Sequence, residues 1–266
     1  MDRNLNRYLS KLVGKSLMNP PKKEVFTINS KHRTSSSTGS HNFNINVTDD
    51  FFKDKKRYHV ISYMMPNTIY TVNDTNNKLY WTDSVPTNIT STIPNGFYDA
   101  TTLSAAVATV LNADKKDANV YTATVATLTQ KITIGSTGNM RLMFSTNTSN
   151  SIAYTLGYDN DDTAAATSHV ADNVVRLDAV NTIFVRSKQL GGPYSGPDGK
   201  FNDVVCKIQN IASVGNYNIL LKKNTETLQR RLGKFSKGLC DFYLTDGTGV
   251  AVNLNGADWN VSMMVV

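Results

Sequence analysis

Four histidines, two cysteines and a few clustered carboxylates are the side chains that could do chemistry in this sequence, and their spacing decides which chemistry is open to them. His32, His41, His59 and His169 show no HxH, HxxxH or Cys/His spacing, so they do not form a zinc ligand set. No GxSxG occurs, and so few histidines leave a catalytic triad little to build on. Asp159, Asp161 and Asp162 lie close enough to attract a hard cation, but the glycine and distal glutamate of a calcium loop are missing, and a solvated acidic turn fits better. Gly14-Lys15-Ser16 ends like a phosphate loop, yet Leu9 stands where the first glycine is needed and no strand precedes it. Gly191 to Lys200 is also glycine-rich, but Phe201 follows the lysine and Pro193 and Pro197 would block a cradle of donors, so it reads as a long exposed loop. Nucleophile, base and oxyanion donor cannot be assembled from this set. The expectation is a protein that is not an enzyme, with no cofactor, no metal site and no small-molecule substrate.

Binding remains, and the charge is placed for it. Arg3, Arg7, Lys11, Lys15, Lys22, Lys23, Lys31 and Arg33 stand against Asp2 and Glu24, which puts +6 of the chain's net +7 before Thr34. Arg3, Arg7, Lys11 and Lys15 are spaced by four, so a helix would carry them as one basic stripe, with Leu5, Leu9, Leu12 and Val13 forming an apolar stripe of its own. Asn19-Pro20-Pro21 ends such a helix, because proline removes donors and turns the preceding residue away from helix. Residues 1–23 therefore read as a basic arm hinged to a body from 24 to 266. Three readings of the arm are open. It is a frayed terminus, or it docks on a partner protein, nucleic acid or an anionic lipid surface, or its apolar stripe packs back on the body and leaves the basic stripe in water. In the docking reading the contacts are Arg3, Arg7, Lys11, Lys15, Lys22 and Lys23.

The N-terminus lacks the continuous apolar core of a secretory signal, and no run of about 18 apolar residues marks a membrane span. Cys206 and Cys240 are far apart and outside any CxxC pattern, which points to a reducing compartment, with a single disulfide as the alternative.

The body must position whatever binds, and its residues alternate with period two. Phe26 and Ile28, then Phe43, Ile45 and Val47, then Tyr58 and Val60 onward read as strands, as do Val120–Val125, Lys131–Ile134 and Met140–Phe144. Ile152–Leu156, Val174–Leu177, Thr182–Arg186, Val204–Ile208 and Tyr217–Leu221 follow the same pattern. At the end, Cys240, Phe242 and Leu244 alternate, Val250, Val252 and Leu254 alternate after Asp246-Gly247, and Trp259, Val261, Met263 and Val265 alternate after Asn255-Gly256. That last strand is expected to be central and buried on one face. One stretch breaks the rule: after Ile93-Pro94-Asn95-Gly96, Asp99 can cap a helix whose Leu103, Val107, Val110 and Leu111 share a face. The expected fold is all-β, an antiparallel β-sandwich of single jelly-roll type with one short inserted helix. Residues 164–237 could supply an additional β subdomain or a large loop.

The order of motifs resembles the penton and minor capsid jelly-roll proteins of virophages, polinton-like viruses and large eukaryotic DNA viruses. The residues that carry the resemblance are Phe26-Thr27-Ile28-Asn29-Ser30-Lys31-His32-Arg33, the Phe43-x-Ile45-x-Val47 strand, Met65-Pro66-Asn67-Thr68-Ile69-Tyr70, Ile93-Pro94-Asn95-Gly96-Phe97-Tyr98 with Leu103, Leu156-Gly157-Tyr158, and Asp246-Gly247 followed by Asn255-Gly256-x-x-Trp259. Residues 164–237 hold no landmark that matches. The resemblance implies a structural protein of an icosahedral virus capsid, in the virion, most simply the vertex protein assembling as a homopentamer. It also implies contact with the major capsid protein, and with packaged nucleic acid or an inner membrane through the basic arm. Another minor or internal virion component carries the same pattern. A different class of function is a receptor- or glycan-binding sandwich such as a fibre head, with Trp81 and Tyr194 as sugar platforms.

Overall fold

A strand forms where alternation gives it one face to bury, and fifteen stretches of the described residues, most of them alternating in this way, pair as strands. The computed structural model describes residues 23–47, 51–52, 57–85, 87–177, 180–196, 199–221, 230–231 and 238–266. In chain order, β1 (Glu24–Asn29), a 3-10 turn (Ser30–His32), β2 (Asn42–Val47) and β3 (Arg57–Pro66) come first. Next are β4 (Lys78–Thr82), β5 (Asn88–Thr92), helix α1 (Ala100–Asp114), β6 (Tyr121–Val125), β7 (Ile132–Leu142), the single turn α2 (Ala153–Leu156) and β8 (Ala166–Val170). Last are β9 (Thr182–Arg186), β10 (Gly192–Gly196), β11 (Gly199–Gln209), β12 (Tyr217–Leu221), β13 (Arg230–Arg231), β14 (Gly238–Thr245) and β15 (Asn260–Val265). These form two compact units, one of residues 1–68 and 181–266, the other of residues 69–180.

The first unit holds two antiparallel sheets, β1-β15-β3-β12 with β13 also on β3, and β10-β11-β9-β14-β2. Set the short β10 and β13 aside and number its eight main strands in chain order. One sheet then reads first, eighth, third, sixth and the other second, seventh, fourth, fifth, which is the jelly roll. The inner faces meet through side chains. The Tyr58 hydroxyl on β3 donates to the Val205 carbonyl on β11 at 3.4 Å. The Phe43 ring on β2 lies 5.5 Å from Trp259, edge to face. Ile28, Val185, Val204, Phe242, Val261 and Met263 are fully buried between the sheets. Entry into β15 is pinned: the Trp259 amide donates to the Ser30 hydroxyl at 3.0 Å, and its indole Nε1 to the Ser40 carbonyl at 2.6 Å.

The second unit is the sheet β5-β4-β7-β6, with β8 also on β7, covered by α1. Asp99 starts α1 as its sequence predicts. Its carboxylate accepts the Thr102 amide at 2.7 Å while the Asp99 amide donates to the Thr102 hydroxyl at 3.0 Å. Leu103, Val107 and Leu111 are fully buried against Trp81, Tyr121, Ile134 and Leu142, and Val110 sits at the margin. Gly157 closes α2 at φ +86°, and a Cβ there would run into the backbone carbonyls of Asn173 and Val174.

Several sequence expectations are corrected. Ile152–Leu156 is not a strand: residues 153–156 make one helical turn, because Ile152, Ala153 and Leu156 all point into the core and Gly157 stops the turn. Val174–Leu177 has no strand pairing. Gly191–Lys200 is not a long loop but supplies β10 and the start of β11. Pro193 falls at the register break between Gly192 and Tyr194 on an edge strand, where a missing donor costs nothing. Val250–Leu254 forms no strand beyond one bridge, Thr245 to Ala251, because the Asp246 carboxylate collects the amides of Thr248 and Val250 and tightens the turn. The added unit is residues 69–180 rather than 164–237. Residues 181–221 are jelly-roll strands of both sheets, and only 164–180 of the expected segment belong to the second unit.

Candidate interaction surfaces

The residues with chemical potential do not gather. His32 is exposed in the 3-10 turn, His59 is buried on β3, and His41, whose pKa burial lowers, precedes β2. His169 lies in the other unit, a ring nitrogen 3.0 Å from the Met140 carbonyl. Among the described residues no three His, Cys, Asp or Glu side chains are grouped to hold a metal ion. The Asp162 carboxylate accepts the Ser145 amide at 2.8 Å and the Thr146 amide and hydroxyl, and Asp159 accepts from Asn173 at 2.9 Å, so this acidic turn braces its own loop. Cys206 and Cys240 are buried thiols with no disulfide between them, and burial pushes the Cys240 thiol up to about 12 against a hydrogen bond with Ser187. Gly14-Lys15-Ser16 lies outside the described residues, as does the Tyr194 side chain. Trp81 is 0% exposed and its Nε1 donates to Ser91 Oγ at 3.0 Å, which rules it out as a sugar platform.

Arg3, Arg7, Lys11, Lys15 and Lys22 also lie outside the described residues, while Lys23 is exposed just ahead of β1. Arg33 is engaged with Asp258 at 2.8 Å. The two units differ in sign. Residues 69–180 carry ten aspartates and no glutamate against six Lys and Arg, a net −4, so the first unit carries +11. The near-neutrality of the chain beyond Arg33 is thus a cancellation between an acidic unit and a basic one.

An apolar surface does assemble, on the outer face of the β1-β15-β3-β12 sheet. On β12 the inward residues are Asn218 and Leu220, so Tyr217, Ile219 and Leu221 point out, the last two 61% and 79% exposed. Ile219 pairs with Met64 of β3, also exposed, and Val25 of β1 adds an exposed apolar side chain at the opposite edge of the face. A depression of about 450 Å³ at the Met64–Tyr217 end is floored by residues 256–260. No strand of the described residues pairs with the other side of β12.

Three asparagines hold the loop that leads into β12. Asn67 Nδ2 donates to the Ala212 carbonyl at 2.7 Å, Asn218 Nδ2 to Asn210 Oδ1 at 2.8 Å, and Asn218 Oδ1 accepts the amides of Ile211 and Ala212 at 2.9 Å. The loop displays Ile211 and Val214, both exposed. A surface held rigid in this way loses little entropy when a partner binds. Sequence reading found β12 but not its outward face, since alternation alone does not say which side is covered.

In the second unit, Asp117 ties the end of β4 to the approach to β6. Its carboxylate accepts the Ser84 amide and hydroxyl at 3.1 and 2.7 Å, Asn119 Nδ2 at 2.6 Å and the Tyr121 hydroxyl at 3.0 Å. Partial burial pushes its pKa up, but these donors together outweigh it and hold the group at about 2, below its ordinary 3.8. Burial, then the Asp117 carboxylate, raises Tyr121 to about 12. A depressed carboxylate adds stability that is present above its unfolded value and lost as pH falls through the folded one. Melting temperature measured from about pH 5 down to about pH 2 should therefore fall less steeply in Asp117→Asn than in the parent, from a lower starting value. Parallel curves would show that Asp117 is not the group responsible.

No family model matches the sequence, and no curated protein does. Among the solved structures that match, the crystal structure of the selenomethionine-labelled mavirus penton protein is similar to this chain with a TM-score of 0.47 at 10% identity, over 92% of this chain and 99% of that one.

Proposed function

We propose that the chain is a structural, non-catalytic protein of an icosahedral virus capsid, occupying the vertices as a homopentamer. The observation that carries the reading is the jelly-roll strand order together with the places where the capsid-like motifs fall in it. Phe26–Arg33 is β1 and its closing turn, Phe43–Val47 is β2, Met65–Tyr70 is the passage from one unit to the other, and Ile93–Tyr98 precedes the cap of α1. Leu156-Gly157-Tyr158 closes α2, and Asn255–Trp259 is the entry to β15. Apart from Phe43–Val47, which is strand, these motifs end or begin an element where the chain changes direction. A fold alone names no function, so these positions matter more than the sandwich itself.

A vertex needs one head-to-tail contact repeated until the ring closes. Each contact can be weak, because the ring and the surrounding major capsid protein multiply it. The basic N-terminal residues would face packaged nucleic acid or an inner membrane. Native mass spectrometry of the purified protein tests the reading. A pentamer is expected, a trimer would favour a fibre head, and a monomer at every concentration up to about 100 μM, well above ordinary interface affinities, would count against a vertex role.

A further inference from the structure

The apolar outer face and the N-terminal residues have complementary needs. The face presents Met64, Tyr217, Ile219 and Leu221 side by side, roughly 400 Å² of apolar surface and within the range of the largest patch a monomer leaves bare, with Val25 separate at the far edge. It includes an edge strand, β12, whose alternating large apolar residues would recruit other chains if left open. Residues 1–22, for their part, carry Leu5, Leu9, Leu12 and Val13, an apolar set that a segment of this length cannot bury by itself. At about 100° per residue these four cluster on the side of a helix opposite Arg3, Arg7, Lys11 and Lys15.

We propose that residues 1–22 dock as an amphipathic helix on this face of their own jelly roll, with Leu5, Leu9, Leu12 and Val13 on the Met64–Ile219–Leu221 row and the basic stripe turned outward. The chain leads there. Lys23 precedes β1, and Glu24 of β1 stands in register with Val265 of β15, which pairs with Tyr58 of β3. From that row to Leu221, opposite Ser62, is three strand spacings across and about four residues along, roughly 20 Å. Residues 18–23 extended span about 20 Å, and a helix over residues 3–17 adds about 22 Å, enough to cross the face toward the depression beside Tyr217. A tether that reaches its site holds it at an effective concentration near millimolar, so the chain's own segment outcompetes a second copy. Docking on the apolar stripe leaves the cations free, so a partner of opposite charge can still meet them. The proposal does not depend on a capsid role.

Cross-linking in the full chain tests it. Leu9→Cys combined with Ile219→Cys should form a disulfide within one chain at a rate independent of protein concentration, whereas Leu9→Cys with Lys188→Cys, in the exposed turn after β9 of the other sheet, should not. A bond that forms only between chains, or only when anionic phosphatidylserine vesicles are added, would overturn docking on the chain's own face, as would no bond at all. A second readout avoids engineered thiols. Trypsin should cut at Arg3 to Lys15 roughly tenfold faster in Ile219→Asp than in the parent, because cleavage follows the undocked population. Equal rates in the two proteins would overturn the proposal. Ile219 is exposed, so the variant should retain the parent's fold.

Discussion

A chain ending at Asn260 should fail to fold its jelly roll. The deleted residues are all but the first residue of β15, which lies between β1 and β3 and bonds to both. Val261, Met263 and Val265 are fully buried. Losing a large buried side chain costs about 2–5 kcal/mol, and three of them match the whole stability of an ordinary domain, about 5–15 kcal/mol, before two broken ladders are counted. The two tryptophans make the outcome readable, since Trp259 reports the first unit and Trp81 the second. The truncated chain should show no cooperative urea transition in Trp259 fluorescence and should be largely insoluble. A soluble truncation with a sigmoidal Trp259 transition would contradict this account of β15.

Trp81→Ala should destabilise the second unit by about 3–5 kcal/mol from the lost ring alone. The indole packs at 4.9 Å, edge to face, on Tyr121, and its Nε1 donates to Ser91, itself fully buried. Truncation leaves that hydroxyl without its donor, adding about 1–3 kcal/mol. Circular dichroism during urea unfolding should show the transition of the second unit moved to lower denaturant, while Trp259 fluorescence still reports a folded jelly roll. A tryptophan serving as a sugar platform would behave the other way, losing glycan binding with stability intact.

Local chemistry was legible from the residues; pairing across the chain was not. Asp99 and the stripe from Leu103 to Leu111 announce α1, and Trp259 to Val265 announce a buried strand, because cap, period and turn all lie within a few residues. The limits of the second unit are silent for a physical reason. Pro66-Asn67 marks the end of a strand but not the end of a unit, Thr68 to Val72 are again β-type residues, and both units use the same alternation, so nothing local distinguishes a strand of one from a strand of the other. β12 shows the complementary limit. Tyr217, Ile219 and Leu221 look like a core face, and Asn218 between them looks like the solvent side, yet the asparagine is drawn in by the amides of Ile211 and Ala212 and the apolar residues point out. Its network decides the orientation, and its partners are six to eight residues away or on another strand.

The position of β15 also orders events at the ribosome. Residues 69–180 are continuous, so the second unit can fold as soon as that stretch emerges. Strands β1 and β3 are made much earlier than β15, the strand that joins them, and it is the last of the fifteen synthesised. Until then the inner faces carrying Ile28 and Tyr58 are open, for a time set by translation at about 5–20 residues per second. Nascent chains of this protein should therefore be chaperone clients through most of their synthesis, released only when residues 260–265 clear the exit tunnel. Pairing of such distant strands also gives a high contact order, so closure of the jelly roll should be slow even after release.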